Sequence, residues 1–138
     1  MYGDEEAEAG ELPSEDIVNS MIKYNEELNR AGVLLAGEGL KPTSDGRRLT
    51  WTDFGRTTVV DGPFAEAKEV IAGYWMWQVR SMEEAVEWAK RCPLGPGGRM
   101  DLRQIFEMAE FGDHLSEEQR ERDAAVRSEI ERQHGNGE

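Results

Sequence analysis

Cysteine and histidine are scarce in this sequence, and basic residues are fewer than acidic ones. Each of these features argues against a class of site or partner. The single cysteine, Cys92, cannot form an internal disulfide, which is typical of a protein in a reducing compartment. The two histidines, His114 and His134, have no Cys, His or acidic neighbour at metal-ligand spacing. We therefore expect no metal site.

Basic residues are outnumbered, and the formal net charge is −13. Phosphates need a basic surface, so this charge argues against nucleic acid and against anionic membranes as partners. The sequence shows no basic-then-apolar leader and no apolar run near about 18 residues, so it predicts a soluble cytoplasmic protein. Apolar residues make up 38% of the 138 residues, enough for one modest core.

Hydrophobic periodicity, turn residues and capping residues predict the regular elements along the chain. The capping residues include Ser14 as an N-cap and Ser116 with Gln119 as a capping box. Residues 1–13 are acidic and aperiodic, so they are predicted to be a loop. The predicted order after that is helix 14–31, strand 33–40, hairpin arms 48–52 and 57–60, strand 73–79, helix 82–91, strand 100–106 and helix 117–133.

This order is the α+β pattern, with two helices on one face of an antiparallel sheet. It is similar to the split βαβ, ferredoxin-like arrangement with an inserted hairpin and an extra C-terminal helix, but the opening strand is missing. The sequence therefore predicts an α+β domain over residues 1–107 and a helical extension over 108–138.

The stretch Asp61-Gly62-Pro63-Phe64 is the centre of the predicted site. Gly62 and Pro63 are expected to turn the chain, because glycine accepts positive φ and proline fixes φ. Asp61 has two interpretations. Its carboxylate either bonds the backbone in an Asx turn, or acts as a general base or ligand acceptor at a pocket mouth.

The residues that follow Asp61 are also open to two interpretations. Phe64 is either a core side chain or a stacking platform. Glu66 and Lys68 are either a solvated ion pair or, if buried beside Asp61, part of an acid/base set.

Glu38 lies between Gly37 and Gly39 after an apolar run. It is either at an exposed strand end or buried with a basic partner, for which Arg103 and Lys68 are the candidates. Alternation along the strand predicted over 73–79 places Tyr74 and Gln78 on the sheet face opposite the helices.

Several motifs resemble the YCII-related family in its DGPF-motif branch. The matching stretches are Ala31-Gly32-Val33-Leu34, Gly37-Glu38-Gly39-Leu40, Asp61-Gly62-Pro63-Phe64-Ala65-Glu66, Lys68-Glu69, Gly73-Tyr74 and Trp88-Ala89-Lys90-Arg91-Cys92-Pro93. The resemblance implies a ferredoxin-like fold that dimerises sheet to sheet, forming a muconolactone-isomerase-like dimeric α/β barrel. It also implies a bacterial cytoplasmic protein that uses no cofactor and whose activity is unassigned.

Two departures from this family limit what the resemblance implies. Its members usually open with an apolar strand just before a segment like Tyr2-Gly3-Asp4, so that strand looks truncated here. An internal start site, a sheet one strand short, or a strand supplied by a partner would each account for this. The founding branch also carries a His–Asp pair thought to be catalytic. Those positions fall near Met21 and at Cys92, so the pair is not carried over.

Two functions follow from these interpretations. The first is a homodimer that binds a small molecule in a cavity between subunits, with proton transfer as the only chemistry. Its predicted ligand-binding residues are Glu38, Asp61, Phe64, Glu66, Lys68, Tyr74, Gln78 and Arg103, of which Asp61 and Glu38 are the candidate catalytic groups. The second is a non-enzymatic module whose C-terminal helix docks on a regulatory protein. The resemblance suggests a sigma factor as that partner, because some family members are associated with sigma-factor genes.

Overall fold

The computed structural model describes residues 1–64 and 69–135, which divide into two compact units, Met1–Leu102 and Arg103–Glu138. The domain division predicted from the sequence, 1–107 and 108–138, stays a prediction. In the first unit, helices and antiparallel sheets occur together. The coarse α+β prediction is therefore confirmed.

The first unit begins with two capped helices. Helix α1 (Glu5–Glu8) is capped by Asp4, whose Oδ1 accepts from the N–H of Ala7 at 2.8 Å. The prediction of a loop over residues 1–13 is therefore wrong here, since acids in a first turn are favoured by the helix dipole. Helix α2 (Glu15–Arg30) begins after its N-cap Ser14, which confirms the predicted helix 14–31.

Four strands form two separate antiparallel pairs. Strand β1 (Leu34–Gly39) pairs with β4 (Gly73–Trp77), and β2 (Arg47–Trp51) pairs with β3 (Thr57–Asp61). The predicted hairpin and the strands near 33–40 and 73–79 are confirmed. The predicted single sheet is not formed by the described residues, and their strands close no barrel.

The strand predicted over 100–106 is wrong, because no strand forms there. Alternation of apolar and polar residues is not sufficient for a strand, because a second segment must also pair with it through backbone hydrogen bonds. Just before this stretch, the carbonyl O of Arg99 accepts from the N–H of Tyr2 at 3.1 Å.

The core lies between the β1–β4 sheet and two helices. Helix α3 (Met82–Lys90) begins at Ser81, whose Oγ accepts from the N–H of Glu84 at 3.1 Å. The hydroxyl of Tyr24 in α2 donates to the carbonyl O of Trp88 in α3 at 2.8 Å, which ties the two helices together. Tyr24, Leu28 and Val33 form a buried cluster. The partly buried side chains that pack against it are Met21, Leu34, Trp75, Trp77, Val79, Trp88 and Cys92.

The second unit consists of a 3-10 segment (Met108–His114) and helix α4 (Glu117–His134). Helix α4 opens with the predicted capping box, in which Ser116 and Gln119 each accept from the other's backbone N–H. Arg120 donates to the carbonyl O atoms of Met108 and Gly112, so the helix is held to the segment before it. In the described part of the chain, no helix combines the length and apolar character that a membrane span needs.

Candidate functional site

The loop predicted to hold the site begins where β3 ends. The N–H of Gly62 donates to the carbonyl O of Gly46 at 3.1 Å, and the Gly62–Pro63 peptide bond is cis. The φ of Gly62 is not positive, so the expected reason for a glycine here is wrong. The reason is space: a Cβ at this position would lie 1.7 Å from the carbonyl O of Thr43.

Asp61 is the last residue of β3 and lies directly opposite Arg47. Its Oδ1 is 2.8 Å from Nε of Arg47, and the two side chains are 78% and 54% exposed. An ion pair this exposed stabilises the hairpin by no more than about 1 kcal/mol. The Asx-turn interpretation is wrong, because Pro63 has no N–H and the N–H of Phe64 bonds Thr43. A role in binding or proton transfer stays a prediction.

A hydrogen-bonded chain anchors the loop to α1. The N–H of Phe64 donates to Oγ1 of Thr43 at 3.1 Å, and this hydroxyl donates to Oε2 of Glu8 at 2.6 Å. The other oxygen of Glu8 accepts from the N–H of Thr43 at 3.1 Å. Sequence reasoning missed this group, since Glu8 and Thr43 are 35 residues apart and nothing in the composition of residues 1–13 marks Glu8.

Phe64 is half-buried, and the guanidinium carbon of Arg48 lies 4.2 Å from the centre of its ring. The ring therefore stacks against a cation of its own chain, which is a cation–π contact and not a core position. Glu66 and Lys68 lie outside the described residues, so their predicted roles stay predictions.

The outer face of the β1–β4 sheet is defined here as Ala36, Glu38, Tyr74, Met76 and Gln78. Glu38 lies directly opposite Tyr74, and Ala36 lies opposite Met76. The intervening residues Trp75 and Trp77 pack against the core. The prediction that Tyr74 and Gln78 share the face away from the helices is therefore confirmed.

The structure brings the predicted site residues together only in part. Glu38, Tyr74 and Gln78 share the outer face, and all three are exposed. Asp61 and Phe64 belong to the other hairpin and its turn. Arg103 is exposed at the start of the second unit.

Two hollows lie on the helical side, away from the predicted residues. One, with a volume of about 520 Å³, is lined by Glu27, Arg30, Ala31 and Arg91. The other, of about 280 Å³, is lined by Glu84, Glu87, Trp88 and Arg91. Both hollows are open to solvent and are lined mostly by charged side chains of both signs. The walls of a typical small-molecule site are mostly apolar instead.

Two side chains of the core have a raised pKa. Burial raises the pKa of the Cys92 thiol to about 11, and it also raises the pKa of Tyr24. A nucleophilic cysteine needs a lowered pKa, so Cys92 acts as a small apolar core residue. Within residues 1–64 and 69–135, no group of His, Cys, Asp and Glu side chains is arranged to hold a metal ion.

Comparison with known proteins gives a consistent picture. The model of the YCII-related domain matches residues 2–109, which is well over half of the chain. An uncharacterised protein of Rhizobium meliloti (strain 1021) is 31% identical over 91 residues, covering 64% of this chain and 73% of the relative. The motifs around Glu38, Asp61 and Cys92 all lie within the matched range. We conclude that the chain belongs to the YCII-related domain family.

Proposed function

We propose that this protein is a homodimer that binds a small molecule between its two subunits, with the outer face of each β1–β4 sheet as a wall of the cavity. The observation that carries the proposal is the pairing of Glu38 with Tyr74 on a face that also presents Met76, which is 40% exposed. A carboxylate, a phenol and an apolar side chain on one face are what a ligand site combines.

The exposed apolar side chains support a partner on this face. Tyr74 and Met76 are 44% and 40% exposed on this face. Helices α2 and α3 pack against the opposite face of this sheet, so the outer face is the one left to contact a partner. A second copy covers the face with the same residues, as a two-fold interface requires. Such a dimer agrees with the dimeric α/β barrel that the resemblance to the DGPF branch implies.

The chemistry available on this face is proton transfer. Glu38 accepts or returns a proton, and the hydroxyls and amides of Tyr74 and Gln78 orient the ligand. Asp61, Phe64, Glu66, Lys68 and Arg103 remain proposed ligand-binding residues. Asp61 would reach a ligand only by sharing or exchanging its ion pair with Arg47.

A thermal-shift screen with a chemically diverse fragment library tests ligand binding. A fragment present at about one hundred times its Kd stabilises the folded state by about 2.7 kcal/mol, which raises the melting temperature. We expect Glu38→Gln to abolish that shift, because it removes the charge and proton acceptor while keeping the shape of the side chain. Glu26→Gln, at an exposed position of α2, is the matched control and should keep the shift.

Equal shifts in Glu38→Gln and Glu26→Gln would place the ligand elsewhere and contradict the proposed site. A library that yields no stabilising fragment for the unchanged protein would contradict small-molecule binding itself.

The second candidate function is a regulatory interaction module that acts through α4. The observation that favours it is the lack of burial along this helix: Val126 and Ile130, four residues apart, are 58% and 51% exposed. Residues at this spacing share one helix face, which suits a docking contact. If no fragment binds, and a regulatory protein such as a sigma factor binds the full chain but not a chain lacking 116–138, this alternative is favoured.

A further inference from the structure

The hairpin of β2 and β3 is uncovered on the face that carries most of its apolar side chains. Every residue of both strands is exposed. Leu49, Trp51 and Val59 are 48%, 69% and 62% exposed. They share one face, because Leu49 lies opposite Val59 and Trp51 is two residues further along β2. A two-stranded hairpin alone is marginally stable in water, so we expect further structure to cover this face in solution.

The opposite face of the hairpin is turned towards the residues that follow β3. Arg48 belongs to that face, and its guanidinium carbon lies 4.2 Å from the centre of the Phe64 ring. The N–H of Phe64 donates to Oγ1 of Thr43 at 3.1 Å, which holds the ring in place. The face of odd-numbered residues is therefore the one left for a partner. We call it the hairpin face, and its residues are Arg47, Leu49, Trp51, Thr57, Val59 and Asp61.

The hairpin face is complementary to itself. Its cross-strand pairs are Arg47 with Asp61, Leu49 with Val59 and Trp51 with Thr57. A two-fold axis that runs parallel to the strands, between two such faces, places β2 of one copy over β3 of the other. Each side chain then meets the residue type that it already lies beside: a cation meets an anion, and an apolar side chain meets another. Such an aligned arrangement is one of the two common ways in which sheets pack face to face.

The distribution of charge also favours a second copy on this face. The formal net charge of the chain is −13, so most of its surface repels another copy. Residues 47–61 contain three arginines and two aspartates, so the hairpin is not acidic. The ion pair of Arg47 and Asp61 is exposed at one end of the face, where each group is free to contact the opposite charge of a second copy.

We propose that the hairpin face binds the same face of a second copy of this chain, about a two-fold axis parallel to β2 and β3. Leu49 and Val59 form the apolar centre of this interface, and Arg47 and Asp61 form ion pairs between the copies at one end. The inference does not depend on the proposed ligand site, because the hairpin face and the outer face belong to different sheets. Where the outer-face dimer also forms, the hairpin face joins two dimers into a tetramer.

Molar mass in solution, measured by light scattering over a range of protein concentrations, tests this proposal. Val59→Asp places a carboxylate at the apolar centre of the face, so we expect the molar mass to fall to about half that of the unchanged protein. Val126→Asp on α4 is the matched control, because Val126 is 58% exposed and Val59 is 62% exposed, and it should keep the mass. Equal masses for the two variants, or an unchanged protein that is monomeric at every concentration, would overturn the proposal.

A charge-reversal experiment keeps the proposal testable if Val59→Asp unfolds the hairpin. Arg47→Asp leaves two acids at the end of the face and Asp61→Arg leaves two bases, so each variant repels a copy of itself. We expect the two variants to bind each other about tenfold more tightly than either binds itself, measured by native mass spectrometry of their mixture. Mixed species in random proportion would show that the two residues interact only within one chain, which overturns the proposal. The outer-face dimer would be unaffected by that result, because Met76 oxidation tests it separately.

Discussion

Replacing Gly62 with alanine is expected to destabilise the first unit by about 3 kcal/mol or more, a large fraction of the 5–15 kcal/mol typical of a domain. The added Cβ would lie 1.7 Å from the carbonyl O of Thr43 and 2.6 Å from its carbonyl carbon. Both are backbone atoms, so no side-chain rotation relieves the overlap. Thr43 is itself fixed, because its N–H and hydroxyl both bond Glu8.

The matched control for this change is Gly39→Ala at the end of β1. Gly39 has no atom within 4 Å of where its Cβ would be, and its φ is not positive. Urea unfolding followed by tryptophan fluorescence should show a much lower midpoint for Gly62→Ala than for Gly39→Ala. Equal midpoints would contradict the close packing of the Asp61–Phe64 turn against Thr43.

Replacing Leu28 with alanine should destabilise the protein by about 2–5 kcal/mol, because the change leaves a cavity in the centre of the core. Leu28 has no exposed surface, and it packs with Tyr24 and Val33. The measurement is the free energy of unfolding in urea.

Leu12→Ala removes the same atoms at a position that is 91% exposed, and it should change the free energy of unfolding by less than about 0.5 kcal/mol. If the two alanine variants unfold at the same urea concentration, the helix–sheet core around Leu28 is not the source of stability.

Local signals in the sequence predicted most of the regular structure. The hydroxyl caps Ser14 and Ser116 marked the starts of α2 and α4 to within one residue. Such caps act through backbone N–H groups two or three residues away, so a single sequence contains them in full. The strand alternation from Gly73 to Val79 likewise placed Tyr74 and Gln78 on the outer face.

Features that depend on distant partners were not predictable in the same way. The strand expected over 100–106 has the right alternation, but pairing is a property of two segments. Gly62 was expected for its backbone freedom, whereas its role is a close approach to Thr43 from a different part of the chain. The anchoring of Thr43 by Glu8 joins a short acidic helix to a loop that the sequence does not connect.

For the candidate site, the sequence proposed residues but not how the fold groups them. Glu38 and Tyr74 lie opposite each other across β1 and β4. Asp61, chosen for the same cavity, is engaged by Arg47 on the other hairpin. In the proposed dimer, the distance between the two groups is set by how the two copies are arranged, which no local sequence pattern encodes.

The measurement that tests the central proposal most directly is the rate of methionine oxidation by dilute peroxide, followed by mass spectrometry. Met76 on the outer face and Met82 at the start of α3 are 40% and 45% exposed in the single chain, so each serves as the other's reference. Burial of the outer face between two subunits predicts that Met76 oxidises about tenfold more slowly than Met82. Equal rates for the two methionines would contradict the dimer and the ligand cavity that it encloses.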